Sequence, residues 1–160
     1  MSQKKVLQRI GEDTAYTFKG LHKTADWLSL EYKIYLTMPI IFSIIALGFD
    51  NNFNALTLKI LAVLSLVFTF FILKNQNEYE KINTYRQLAN KYKNLYDKVE
   101  MYYYAEKEVN LIDLQNEKIK YSKELNKHSI SFIGRFCSKK VIEQEMNLIW
   151  IKDDVNAKTK

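Results

Sequence analysis

Few side chains in this sequence are of the kinds that carry covalent chemistry. His22 and His128 lie far apart and neither has a companion at metal-ligand spacing. The one cysteine, Cys137, makes no intramolecular disulfide and completes no ligand set, which suits a reducing cytoplasm. Asp97, Glu100, Glu106 and Glu108 fall in a lysine-rich stretch, where solvated, paired roles are the expectation. The four glycines are scattered, and neither a phosphate-binding loop nor a GxSxG or HExxH motif occurs. Tyrosines 102–104 have faces on which bases stack, but on a helix such a run serves packing. The expectation is a non-enzyme without cofactor or metal.

The polar residues that stand out are instead those inside apolar surroundings. Thr57, Leu61, Ser65 and Thr69 are spaced by four and drift slowly around one side of a helix, while Tyr35, Thr37 and Ser43 punctuate an earlier apolar run. Hydroxylated residues at such places let helices approach closely and share hydrogen bonds. The same face also suits the wall of a pore, with Leu61 as a dewetting constriction. Two helices cannot enclose an aqueous path, so a pore requires several copies.

Those residues are positioned by two apolar stretches, 34–49 and 53–73; Lys59 is their only charged residue. A bilayer core takes about 20 apolar residues as a helix. The second stretch fits, and the first reaches about 18 once Tyr32 and a snorkelling Lys33 are included. Residues 50–52, Asp-Asn-Asn, form too short a turn to cross anything, so the stretches are expected to run antiparallel as a transmembrane hairpin. A buried helix in a small soluble bundle would keep a polar stripe, and these leave little room for one. Pro39 is expected to kink the first span. Trp27, Tyr32 and Tyr35 suit the headgroup belt.

Lysine and arginine number 24 against 18 acidic residues, a net charge of +6. Nucleic acid is not needed to explain this. The bases flank the outer ends of the hairpin, with Lys19, Lys23 and Lys33 before it and Lys74, Lys81 and Arg86 after it, whereas its turn carries Asp50. Both termini are therefore expected in the cytoplasm. The late apolar run, lacking a small-residue cleavage site, is not that of a signal peptide.

The rest of the chain reads as helix. Residues 1–33 are expected to be a juxtamembrane segment, frayed over 1–12 and helical from Asp13 or Thr14. Residues 74–127 suit one long cytoplasmic helix, whose stripe of Ile82, Leu88, Leu95 and Val99 is the candidate oligomer contact. Residues 128–160 add a helix from Ser138 to about Trp150, folding back through Val141, Ile142, Met146, Ile149 and Trp150, and then a tail. The expected fold is an all-α membrane protein: a two-helix transmembrane hairpin continuing into a long cytoplasmic helix with a C-terminal helix, homo-oligomeric.

This layout, with AYTFKGLHKTA before the hairpin and LANKYKNL after it, resembles the SLATT family of bacterial two-transmembrane effectors. Tyr16, Lys19, His22 and Ala25 look like the family signature before the first span; Ala89, Tyr92 and Leu95 look like its post-hairpin helix. The likeness covers roughly residues 12–125 and leaves the segment from Ser131 outside. It implies a pore-forming effector of bacterial antiviral conflict systems that permeabilises the inner membrane on activation. The trigger would come from a separate sensor or nucleotide-signalling protein. The competing class is a membrane-anchored helical scaffold or adaptor that conducts nothing.

Overall fold

The computed structural model describes residues 3–48, 54–74, 77–105 and 110–144, with side chains to residue 142. These form five α-helices: α1 Gln3–Gly48, α2 Ala55–Lys74, α3 Glu78–Ala105, α4 Leu111–Leu125 and α5 Phe132–Gln144. They divide into two compact units. The first holds Met1–Ala25 and Asn83–Lys160, the second Asp26–Ile82.

The first unit is a bundle of the N-terminal half of α1 with α3, α4 and α5. Its core follows helical spacing on each member: Leu7, Ile10, Ala15, Phe18 and Leu21 on α1, and Leu88, Tyr92, Leu95 and Val99 on α3. Each large apolar side chain so buried contributes on the order of 1.5–3 kcal/mol. The expectation of a frayed 1–12 is corrected here. α1 begins at Gln3, because Leu7 and Ile10 are 2% and 5% exposed and hold the first turns against the core.

The single long helix expected over 74–127 is two helices. α3 ends at Ala105, and α4 opens at Leu111 with Asn110 as its cap, the Asn110 side chain accepting from the Ile112 N–H. Residues 106–109 lie outside the described residues. The pair runs antiparallel: Lys98 bonds Glu117, Tyr92 meets Ser122, and Lys91 bonds Glu124. The ladder continues beyond α4, where the Tyr85 hydroxyl donates to the Ser129 carbonyl. Folding back lets the tyrosine-rich stripe of α3 pack on the chain's own α4.

α5 starts six residues earlier than expected. Ser131 caps it by accepting from the Gly134 N–H at 2.9 Å, so Phe132, Ile133 and Phe136 are helical. Ile142 is 1% exposed and joins the core. Met146, Ile149 and Trp150 lie outside the described residues.

In the second unit, α1 runs on through Pro39 to Gly48, and α2 spans 20 residues, about 30 Å at helical rise. Asn54 caps α2, its side-chain oxygen accepting from the Thr57 N–H and hydroxyl. Both helices are long and apolar enough to cross a membrane, and neither apolar window has a buried residue. The expected turn, residues 50–52, lies outside the described residues.

Candidate functional site

Within the second unit, the half-buried positions of α2 are Thr57, Leu58, Leu61, Ser65, Phe68 and Ile72. They recur at three-and-four spacing and form one face. Phe68 identifies what that face meets, since its ring lies 6.1 Å from Tyr35 and 5.8 Å from Phe42, both on α1. Tyr35 also stacks on Phe71 at 5.5 Å and donates its hydroxyl to Glu31. Thr57, Leu61 and Ser65 thus share the packing face of Phe68, and Thr69 stands outside it, exposed. Of the four drifting positions expected as a lining, three lie on the covered side of α2 and the fourth lies beside it. The cause is the helical drift of a strict four-residue spacing, which carries Thr69 off the face that Thr57 begins.

Three hydroxyls in these apolar segments are satisfied locally. Thr37 donates to the Lys33 carbonyl, Ser43 to that of Pro39 and Thr69 to that of Ser65, all within one turn. All three residues are exposed. Glu31, Glu78, Tyr32 and Tyr35 border a small cavity of about 210 Å³ in the same unit.

In the bundle, the expected oligomer stripe is corrected. Leu88, Leu95 and Val99 are 3%, 0% and 0% exposed and belong to the chain's own core; Ile82, in the second unit, is 4% exposed. The stripe is apolar because α1 and α4 close over it, so it offers no surface to a second copy. The residues that resemble the SLATT signature divide in the same way. Ala25, Ala89, Tyr92 and Leu95 are buried packing residues. Tyr16, Lys19 and His22 are half-buried on α1, where Lys19 lies over the Phe18 ring and His22 meets that ring edge-on.

The charged side chains form short networks across the bundle. Burial pushes the Glu117 carboxyl up, but hydrogen bonds from Lys98 and Tyr121 outweigh it and leave Glu117 below its ordinary value. Burial, with the Glu117 carboxylate beside it, holds the Tyr121 hydroxyl up to about 12. Tyr92 is likewise raised by burial, against a lowering from Ser122. The Lys91 hydrogen bond lowers Glu124. These are structural pairs that tie α3 to α4. His128 rests edge-on against Tyr85. Among the described residues no three His, Cys, Asp or Glu side chains come together as a metal site.

An open groove of about 420 Å³ runs between α1 and α4, lined by Val6, Arg9, Ile10, Lys118 and Ile119, with the Asp13–Lys118 ion pair across it. Sequence reasoning missed this groove and the α1–α5 contact at Gly20, Thr24 and Gly134. The signal available for the second was Ser131 three residues ahead of Gly134, a cap followed by a small residue.

Comparison with family models finds no match, and neither curated proteins nor solved structures give one.

Proposed function

We propose that this chain is an integral protein of the bacterial inner membrane, with α2 and the second half of α1 inserted as an antiparallel hairpin and both termini cytoplasmic. One observation carries the reading: Ile40, Ile44, Leu47, Leu66 and Phe70 are all at least 60% exposed, on helices that bury none of their apolar windows. A contiguous apolar surface of that extent is stable in hydrocarbon and unstable in water. The basic residues on the outer flanks set the orientation.

The hairpin acts by assembling with copies of itself into a pore that permeabilises the membrane on activation, as the likeness to SLATT effectors implies. The exposed hydroxyls of Thr37, Ser43 and Thr69 support this, because such positions suit helix contacts between neighbouring copies. Contacts between copies then lie in the membrane, since the stripe on α3 is already covered. The trigger is a separate sensor or nucleotide-signalling protein, received by the bundle.

The scaffold reading is favoured by a different observation. The bundle has a closed core of its own, and no buried side-chain polar atom among the described residues lacks a partner. Such a bundle suits a tethered docking platform.

Reconstitution separates the two. Vesicles of phosphatidylethanolamine and phosphatidylglycerol, loaded with a self-quenched dye, receive the full chain at increasing density. The pore reading expects leakage that rises more steeply than linearly with density and is reduced by Thr69→Leu. Complete insertion without leakage at any density leaves the scaffold.

A further inference from the structure

α5 turns two phenylalanines away from its own bundle. Its inward face is made by Gly134, Ser138 and Ile142, spaced by four and buried. Phe132 and Phe136 stand on the opposite side, 82% and 68% exposed. Lys139 and Lys140 share that outer side and Arg135 borders it, all three exposed. From 132 to 142 the sequence FIGRFCSKKVI has three basic residues and no acidic one. Aromatic rings set among cations match the headgroup layer, where rings enter the acyl boundary and cations meet lipid phosphates.

The place of α5 in the bundle points the same way. The Ser131 hydroxyl lies 3.2 Å from that of Thr24, one residue before the chain leaves the bundle at Ala25. The Ser129 carbonyl accepts from Tyr85, two residues after the chain re-enters at Asn83. α5 therefore begins at the end of the bundle through which the chain departs and returns. On the membrane reading above, on which this inference rests, residues 26–33 are all that separates the bundle from the first span along the sequence.

We infer that Phe132, Phe136, Arg135, Lys139 and Lys140 form a docking surface for the anionic lipid of the cytoplasmic leaflet. The rings enter the interface and the three cations engage phosphates. Each cation shifts the docked population by about fivefold, the usual worth of a basic residue at an anionic surface. α5 is thus a second, reversible membrane contact beside the permanent one.

The test uses the full chain in vesicles, with Cys137→Ser and a spin label at Phe132→Cys or, separately, at Ile44→Cys. Collisions with oxygen report bilayer exposure, and collisions with a nickel chelate report water. The expected result at both sites is oxygen in excess over nickel in vesicles containing phosphatidylglycerol. At residue 132 alone, that excess should be lost, with nickel gaining access, in pure phosphatidylcholine or when Arg135, Lys139 and Lys140 become Gln. A lipid-exposed residue 44 with a nickel-accessible residue 132 in every vesicle overturns the inference and leaves the membrane reading intact. A water-exposed residue 44 overturns both. Shielding of residue 132 from both reagents means that protein covers it, and that too overturns the lipid assignment.

Discussion

Thr24 of α1 and Gly134 of α5 stand so close that a methyl group on the glycine would lie 2.2 Å from the threonine Oγ1 and 2.7 Å from the Gly20 carbonyl oxygen. The threonine has nowhere to go. Its hydroxyl donates to that same Gly20 carbonyl and accepts from the Ser131 N–H.

Gly134→Ala is therefore expected to destabilise the bundle by about 1–3 kcal/mol, the range for overpacking. The thermal midpoint of the detergent-solubilised protein measures it. Gly48→Ala, with nothing within 4 Å of the added carbon, serves as control and leaves the midpoint unchanged. Equal midpoints for both variants would show that α5 can move off α1 at no cost.

Leu95 is fully buried and shares its core with Tyr92 and Val99 on α3, so Leu95→Ala is expected to cost about 2–5 kcal/mol. Leu88→Lys with Leu95→Lys should abolish the folded bundle, because two unpaired charges would enter the core. Circular dichroism and protease resistance report the outcome. A helical, protease-resistant double variant that merely forms smaller oligomers would mean the stripe lies between copies after all.

The two apolar helices were legible because an uncharged run of bilayer length has few alternatives, and α2, Ala55–Lys74, lies within two residues of the expected 53–73. The bundle was harder to see. Tyr92, Tyr96 and Tyr103 take part in packing while looking polar, so the stripe on α3 was readable but not what covers it. The division into α3 and α4 was hidden because Asn110 is one polar residue among many, and its capping role appears only once Leu111 and Leu114 have a core to face. Gln3, Lys4 and Lys5 masked the start of α1 in the same way, their polarity outweighing Leu7 and Ile10. For the drifting positions Thr57, Leu61, Ser65 and Thr69 the spacing alone does not say which side of α2 is covered, and the ring contacts of Phe68 fix it.

Alkaline pH should loosen the bundle through Tyr121. An unfolded chain ionises tyrosine near 10, whereas the folded protein holds this proton to about 12. Across that window the folded state binds more protons, so stability falls as pH rises. Denaturant midpoints at pH 9, 10 and 11 should decline less for Tyr121→Phe than for the wild type. Parallel declines would remove Tyr121 as the cause. Glu117 acts at the other end: its lowered carboxyl contributes stability at neutral pH that is lost as pH falls through its depressed value.

Topology has a direct measurement. An impermeant maleimide applied to intact cells should label a cysteine introduced at Asn51 and spare Cys137, which becomes reactive only after the membrane is opened. Labelling of Cys137 in intact cells would reverse the orientation.

The bond between Thr24 and Ser131 joins residues 107 positions apart. At roughly 5–20 residues per second of synthesis, the first half of α1 waits on the order of 5–20 s for α5. Throughout that interval Leu7, Ile10, Phe18 and Leu21 have no completed core to enter, while both apolar helices emerge behind them. The earliest helix made is the last to be closed over. Any factor that attends the nascent chain therefore meets an amphipathic stripe near its start well before it meets a folded domain.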